Sequence, residues 1–399
     1  MAGSGVCGAG GVVNKWPIRM GVHMGDSQQQ PHSEAAFFMN RALELAQQAM
    51  NRTSPNPRVG CVLVNPQGQV VGEGATQKAG GPHAEVMALR DAAGRGQQVQ
   101  GATAYVTLEP CAHTGRTGPC CVALSEAGVA KVVVALLDPN PRVAGQGIAH
   151  LRAHGIAVEV GEGAAQAREL NLGFLSRMVR GQPWVRMKAA TSLDGKTALP
   201  NGQSQWITGP AAREDGQVWR ARACAILTGV GTVLADNPRL DVRSLPTERQ
   251  PRLVIADSQL RTPPDAALFA ADRQVLIYAA QLQGARAEAL QARGAVLVEM
   301  PDARGRVDVP AMLRDLARRE VNELHVEAGA VLNGAVIACG MLDELLLYLA
   351  PSLLGPGVDM AQWGPLTDLA QRVPLAFHDV VPVGGDLRVL ARVPGRDQF

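Results

Sequence analysis

Apolar residues recur at near-helical spacing between residues 35 and 50, where Phe38, Ala42, Leu43, Leu45, Ala46 and Met50 fall on one face. The pattern predicts an amphipathic helix, and Ser54-Pro55-Asn56-Pro57 ends it. The apolar run at 59–64 reads as a strand, 66–69 as a turn, and Val70-Val71 as the start of a second strand. A helix at 84–93 is entered through Gly80-Gly81-Pro82. A strand at 102–108, a helix at 121–127 and a strand at 132–137 follow. This alternation predicts a layered α/β domain ending near 161–180. A second alternating series starts after Gly181-Gln182-Pro183. Its strands are expected at 184–190, 225–228, 252–256, 275–278, 295–299 and 324–327, with later ones at 345–349 and 388–393. Its helices include 210–223 and 310–319. Residues 1–34 carry glycine clusters and a polar stretch with no periodicity that could bury a face, and are expected to form a flexible extension. Met20 and Met24 offer alternative starts.

Length and composition agree with this division. A chain of 399 residues has room for two domains, and 46% hydrophobic residues can build sizeable cores. Thirty-eight basic residues nearly balance 36 acidic ones, for a net charge of +2, which argues against a grip on long phosphate backbones and so against a nucleic-acid partner. Seven cysteines are too few for a disulfide scaffold of this size. Cys61, Cys224 and Cys339 lie in apolar runs and read as small buried side chains. No segment offers the roughly 18 uncharged apolar residues of a membrane span, and the first residues lack the pattern of a signal peptide. No membrane partner is therefore expected, and the cytoplasm is the expected compartment.

The chemistry gathers in two places. His83-Ala84-Glu85 stands at a predicted helix start, Pro110-Cys111 follows a predicted strand, and Pro119-Cys120 opens another predicted helix. One histidine and two cysteines supply three zinc ligands and leave a fourth position for water. Helix N-termini favour thiolates. Glu85, two residues after a ligand, can reach that water and carry its proton to a departing amine. The pattern fits a zinc deaminase of nucleobases, although eight residues rather than two separate the cysteines. A zinc knuckle uses the same ligands but leaves Glu85 and Pro110 idle. Cys121 competes with Cys120 as a ligand, and His113 can either close the site as a fourth ligand or contact substrate; substrate contact is preferred.

In the second half, Thr228-Gly229-Val230-Gly231-Thr232 follows a strand and precedes a helix, so its backbone N–H groups can hold phosphate oxygens. Leu234 stands where a dinucleotide fingerprint has its last glycine, so this turn alone is weak evidence. Residues 327–334, Glu-Ala-Gly-Ala-Val-Leu-Asn-Gly, repeat the pattern before a helix expected at 331–339. Lys188 and Asp194 read either as a buried ion pair or as a pair that steers substrate.

These motifs resemble one family. Thr-Ser-Pro-Asn-Pro-Arg-Val-Gly at 53–60, His83-Ala84-Glu85 and the Pro-Cys-Ala-His-Thr-Gly-Arg-Thr-Gly-Pro-Cys stretch at 110–120 look like the deaminase half of bifunctional riboflavin biosynthesis deaminase/reductases. In that family the long segment between the cysteines is expected. Gly118 stands where proline is usual, which bears on loop stiffness. Lys-Ala-Ala-Thr-Ser-Leu-Asp-Gly at 188–195, Ser-Gln-Trp-Ile at 204–207, and residues 228–240 and 327–334 are similar to the reductase half. The resemblance runs from about residue 35 to the C-terminus. It implies a cytidine-deaminase-like three-layer α/β domain at 35–180 and a dihydrofolate-reductase-like α/β domain at 181–399.

The resemblance also implies roles. His83, Cys111 and Cys120 would bind zinc, Glu85 would shuttle protons, and Asn56 would contact the pyrimidine. Ala190, Trp206, Thr232, Asp236, Ser258 and the turn of Gly329, Ala330, Val331, Leu332, Asn333, Gly334 and Ala335 would contact NADPH. Ser204, Arg220, Leu240, Arg243 and Glu327 would contact a phosphorylated pyrimidine, with both arginines as phosphate partners. Asp241 replaces the uncharged polar residue usual after Leu240. The implied activity is hydrolytic deamination of a diaminopyrimidinone ribosylamine phosphate, followed by NADPH-dependent reduction of its ribosyl chain to ribityl. A homo-oligomer is expected, dimers being the commonest symmetric assembly. A nucleic-acid deaminase would share the zinc residues but needs a basic surface and leaves 183–399 unexplained. A non-catalytic binding protein would have no use for an intact Glu85.

Overall fold

Ser33 caps the first helix: its Oγ accepts the Ala36 N–H at 3.1 Å, and α1 (Glu34–Gln48) follows. The structure, a computed structural model, describes residues 33–112, 118–140 and 144–399. The extension expected at 1–34 falls outside them except for its last two residues, which belong to this helix and its cap.

Strands β1 (Gly60–Val64), β2 (Val70–Ala75), β3 (Thr103–Val106), β4 (Lys131–Val134) and β5 (Ala157–Val160) form one sheet in the order β2-β1-β3-β4-β5. β1 is antiparallel to β2 and β3, whereas β3, β4 and β5 run parallel. Alternation along β1 sends Val62 and Val64 into a core with α1 and Ala167, the latter from α5 (Ala164–Arg180). Cys61 and Leu63 point the other way, towards α2 (Ala84–Gly94), α3 (Cys120–Glu126) and Leu151 of α4 (Gln146–Ala153). Helices on both faces make the expected three layers. The apolar pattern did not predict α4, β5 or α5.

The close approach of α2 to β2 sets the position of everything α2 carries. A Cβ on Gly74 would lie 2.4 Å from both the Ala84 carbonyl oxygen and the Ala88 nitrogen. Gly74→Ala is therefore expected to displace α2, cost about 1–3 kcal/mol and lower the zinc bound per chain. Full metal occupancy in the purified variant would contradict this.

The second half contains β6 (Trp184–Ser192), β7 (Lys196–Ala198), α6 (Pro210–Arg222), β8 (Ala225–Gly229), α7 (Val230–Asp236), β9 (Arg252–Ala256) and β10 (Val275–Ala279). It continues with α8 (Ala285–Ala292), β11 (Val296–Glu299), α9 (Val309–Arg318), β12 (Glu323–Val326), α10 (Ala330–Ala338), β13 (Glu344–Ala350), β14 (Val358–Asp359), β15 (Ala376–Val383) and β16 (Asp386–Arg392). Nine strands build one sheet in the order β11-β10-β9-β8-β12-β6-β13-β16-β15, and β7 pairs with β14 beside it. The sheet is parallel from β11 to β13, with β16 and β15 added antiparallel. β8 and β12 are parallel neighbours, so the two glycine-containing turns leave the sheet side by side at its C-terminal edge, where open α/β sheets bind ligands.

The halves join through α5, which packs on β6 and β12, and through a buried charge network. Arg58, from the loop after α1, reaches Glu323 of β12 at 2.5 Å. Glu323 also holds Arg186 of β6 at 3.1 Å and Arg222 of α6 at 2.8 Å. Burial alone would push the Glu323 carboxyl up, but Arg222, Arg58 and Arg186 hold it well below the usual carboxylate range. The described residues form one compact unit. Among the described residues, no helix is long and apolar enough to cross a membrane.

Candidate active sites

His83 is the N-cap residue of α2, which places Glu85 in the first turn of that helix. Cys111 follows the loop that leaves β3, and Cys120 is the first residue of α3. Three separate elements thus bring one nitrogen and two sulfurs within 4.8 Å of one another. The His83 Nδ1 lies 3.5 Å from the Cys111 sulfur and 3.3 Å from that of Cys120. Zinc with ligands at about 2.0–2.3 Å requires edges of about 3.5 Å between them, so the donor set fits that ion. The Cys120 backbone N–H donates to the Cys111 sulfur at 3.4 Å, the kind of contact that favours a thiolate at a helix start. Hydrogen bonding from Cys120 draws the Cys111 thiol down, while Cys111 pushes Cys120 up. Cys121 is buried and stands outside the cluster. His113 lies outside the described residues.

Glu85 is 3% exposed, and burial pushes its carboxyl up to about 7. It lines a cavity of about 560 Å³ with His83, Cys111 and Asn56. Asp138, Asn140, Arg177 and Glu320 line the same cavity, and sequence reasoning missed all four. Asp138 is buried, with its carboxyl pushed up to about 6, and its Oδ1 accepts the Asn140 N–H at 2.8 Å. Glu109, two residues before Cys111, holds this loop. Its oxygens accept the N–H groups of Asp138 at 3.3 Å, Gly145 at 3.0 Å, Gly147 at 3.0 Å and Ile148 at 3.2 Å. The acidic residue before Pro110 was the available signal for that support.

The second cluster gathers side chains of β6, α6 and the residue after β12. Arg220 of α6 forms a two-pronged pair with Glu327, at 2.5 and 2.8 Å. Burial alone would raise the Glu327 carboxyl, but Arg220 holds it well below its usual range. Lys188 of β6 approaches Glu327 at 4.0 Å. Lys188 and Asp194 are therefore not a pair. Asp194 instead accepts from the Ser192 hydroxyl at 2.5 Å and from the backbone of Leu354 and Gly355, at 3.1 and 2.8 Å respectively. Arg243 is tied at 2.9 Å to Asp241, which also holds Arg239 at 2.7 Å. The unusual carboxylate thus partly neutralises an expected phosphate partner. Leu240 is buried in an apolar core with Ile226, Leu253 and Ile255, and its carbonyl accepts from Arg273.

Thr232 Oγ1 lies 3.6 Å from where a Gly329 Cβ would stand, so the turns after β8 and β12 face each other across a narrow gap. Val331 is 70% exposed at the start of α10, Trp206 is 67% exposed under the Arg213 guanidinium, and Asp236 is exposed at the end of α7. Ala190 on β6 and Ser204 are half-buried. Ser258 follows β9, and its Oγ accepts the Val307 N–H at 3.1 Å. Such a paired-turn edge fits a dinucleotide with backbone donors for its phosphates. Within the 329–335 run, Ala330 and Leu332 flank the turn, with the Ala330 carbonyl accepting the Gln362 N–H at 2.8 Å. Asn333 and Gly334 face elsewhere. The Asn333 amide donates to the carbonyls of Ala328 and Met360, and a Cβ on Gly334 would lie 1.8 Å from the Gln362 oxygen. They support the turn from behind, and Ala335 beside them is half-buried.

Two family models match the chain. The cytidine and deoxycytidylate deaminase zinc-binding region matches residues 32–136, and the RibD C-terminal domain matches 183–386. The riboflavin biosynthesis protein RibD of Escherichia coli K12 is 43% identical over 364 residues, covering 88% of this chain and 97% of that protein. Its Haemophilus influenzae namesake is 43% identical over 376 residues, covering 90% and 97%. Among solved structures, Acinetobacter baumannii RibD aligns with a TM-score of 0.83 at 42% identity, covering 90% of this chain and 98% of that one. A diaminohydroxyphosphoribosylaminopyrimidine deaminase/5-amino-6-(5-phosphoribosylamino)uracil reductase from Thermotoga maritima aligns with a TM-score of 0.82 at 32% identity, covering 91% and 100%.

Proposed function

Because the chain belongs to the RibD family, the bifunctional zinc- and NADPH-dependent deaminase/reductases of riboflavin biosynthesis, we propose that it divides two consecutive steps between residues 35–180 and 181–399. The observation that carries the reading is the His83, Cys111 and Cys120 cluster with buried Glu85 beside it in one cavity. The first step removes an amine from a diaminopyrimidinone ribosylamine phosphate. His83, Cys111 and Cys120 would hold the zinc ion, which would supply a Lewis acid for a water in the cavity. Glu85, held near neutrality by burial, takes the proton and returns it to the departing ammonia. Asn56 and Asp138, from two loops that line the cavity, orient the ring.

The second step reduces the ribosyl chain to a ribityl chain, with NADPH as reductant. Thr232, Trp206 and the N-terminus of α10 hold the dinucleotide, with Ala190, Asp236 and Ser258 around them. Glu327 orients the sugar hydroxyls, and Arg220 keeps Glu327 ionised and aimed. Arg243, Ser204 and the Leu240 backbone receive the phosphorylated end. The protein acts as a homo-oligomer: β15 is an edge strand with Phe377 79% exposed and Val380 50% exposed, an apolar edge that a second copy would cover. Its substrate is a small molecule, and it works in the cytoplasm without a nucleic-acid partner.

Zinc removal tests the division of labour. The zinc-free protein is expected to release no ammonia and to leave NADPH unoxidised when given the diaminopyrimidinone, while still oxidising NADPH with the deaminated intermediate. Ammonia release that survives complete zinc removal overturns the reading.

A further inference from the structure

The loop between α1 and β1 lends Pro55, Asn56 and Pro57 to the zinc cavity. Its two prolines have no N–H, so it cannot be fixed by a regular ladder, and its carbonyls need other partners. Within the loop, the Asn56 N–H donates to the Thr53 carbonyl at 2.9 Å. Much of the remaining support crosses from the other half of the chain. The Asn322 amide donates to the Pro55 carbonyl at 2.9 Å. Arg177 donates to the same carbonyl at 3.3 Å, and its Nε donates to the Asn322 Oδ1 at 2.5 Å. Ser54 Oγ lies 3.2 Å from the Cys224 sulfur, and Arg58 ends the loop on Glu323. Asn322 is itself fixed by β6, since its carbonyl accepts the Trp184 N–H at 2.8 Å.

We propose that Asn322, a residue of the reductase half, is a positioning residue for deamination: it holds the Pro55 carbonyl and orients Arg177, and so fixes the loop that presents Asn56 to the substrate. The inference rests on the deaminase reading of this cavity. Asn322 does not line the cavity and acts through the loop. Displacing a substrate contact by about 1 Å can lower a rate by about 100-fold, and one lost hydrogen bond permits about a tenfold effect. The deaminase half therefore draws on the segment between α9 and β12, although the proposed zinc ligands and Glu85 all precede residue 121.

The test uses the full-length, zinc-loaded protein. Asn322→Ala is expected to raise the KM for ammonia release about tenfold, with a smaller change in kcat. Zinc content, and NADPH oxidation with the deaminated intermediate, should stay unchanged. Asn322→Asp keeps an acceptor for Arg177 but sets a carboxylate oxygen against the Pro55 carbonyl, so it should show the same KM defect. An unchanged KM in both variants overturns the inference, as does an equal fall in reduction, which marks a general loss of structure. Absence of ammonia release from the unsubstituted protein overturns the deaminase reading itself.

Discussion

Glu85→Gln is expected to slow ammonia release by at least about 100-fold while leaving zinc in place and reduction intact: this is the largest catalytic effect expected of any single substitution. Glutamine keeps the size and hydrogen-bonding reach of the side chain but cannot carry a proton. General acid–base catalysis contributes about 100- to 10,000-fold, so the deaminase rate should fall by at least about 100-fold. His83, Cys111 and Cys120 are untouched, and the proposal places NADPH oxidation around Glu327, on a different sheet. Slowed deamination with full zinc occupancy separates the proton carrier from the ligand set. A loss of zinc on substitution would instead make Glu85 a ligand.

The largest effect on stability is expected at Glu323. Its carboxylate is 1% exposed and contacts Arg58, Arg186 and Arg222, whose side chains are exposed by no more than 7%. Arg186 retains Glu344 as a second partner, but Arg58 and Arg222 have no other carboxylate among the described ion pairs. Glu323→Gln leaves that charge buried and uncompensated, at a cost of about 3–5 kcal/mol. Urea unfolding followed by tryptophan fluorescence measures it, and a change below about 1 kcal/mol contradicts the assignment. The sign with pH follows from the depressed carboxyl. Its stabilising contribution is complete above the unfolded value of 4.5 and disappears only as pH falls towards the lower folded value. Mild acid should therefore leave the junction between the halves intact.

How much of this was legible in the sequence depended on distance along the chain. His83 and Glu85 stand two residues apart, and Cys111 and Cys120 each follow a proline, so local motifs were enough to single out the cluster that the fold brings together. The strands at 252–256 and 275–278 were legible because the middle of a parallel sheet is buried on both faces and reads as a continuous apolar run. The edge strands β2 and β11 were still legible, at 70–71 and 295–299, but the other two edges lack such a signal. β5 is mostly exposed, and β15 carries a register shift near Phe377 and a proline at 382, so neither shows a buried face.

Asp138, Arg177 and Glu320 could not be found locally, because they reach one cavity from three separate elements on both sides of the junction. Lys188 and Asp194 failed as a pair for the same reason. The partner of Lys188 is Glu327, brought beside it when β12 inserts between β6 and β8. The Arg58 contact with Glu323 spans 265 positions, beyond the reach of any local pattern. Glu327 was expected as the last residue of its strand and stands one residue past the end of β12, where its carboxylate pairs with Arg220.

The central claim is that one chain deaminates a diaminopyrimidinone ribosylamine phosphate and then reduces the product. Following ammonia and NADPH together on zinc-loaded protein tests it most directly. Ammonia should appear first, with NADPH oxidation lagging behind it and slowed along with deamination by Glu85→Gln. NADPH oxidation without ammonia, or neither signal with zinc confirmed bound, would contradict the claim.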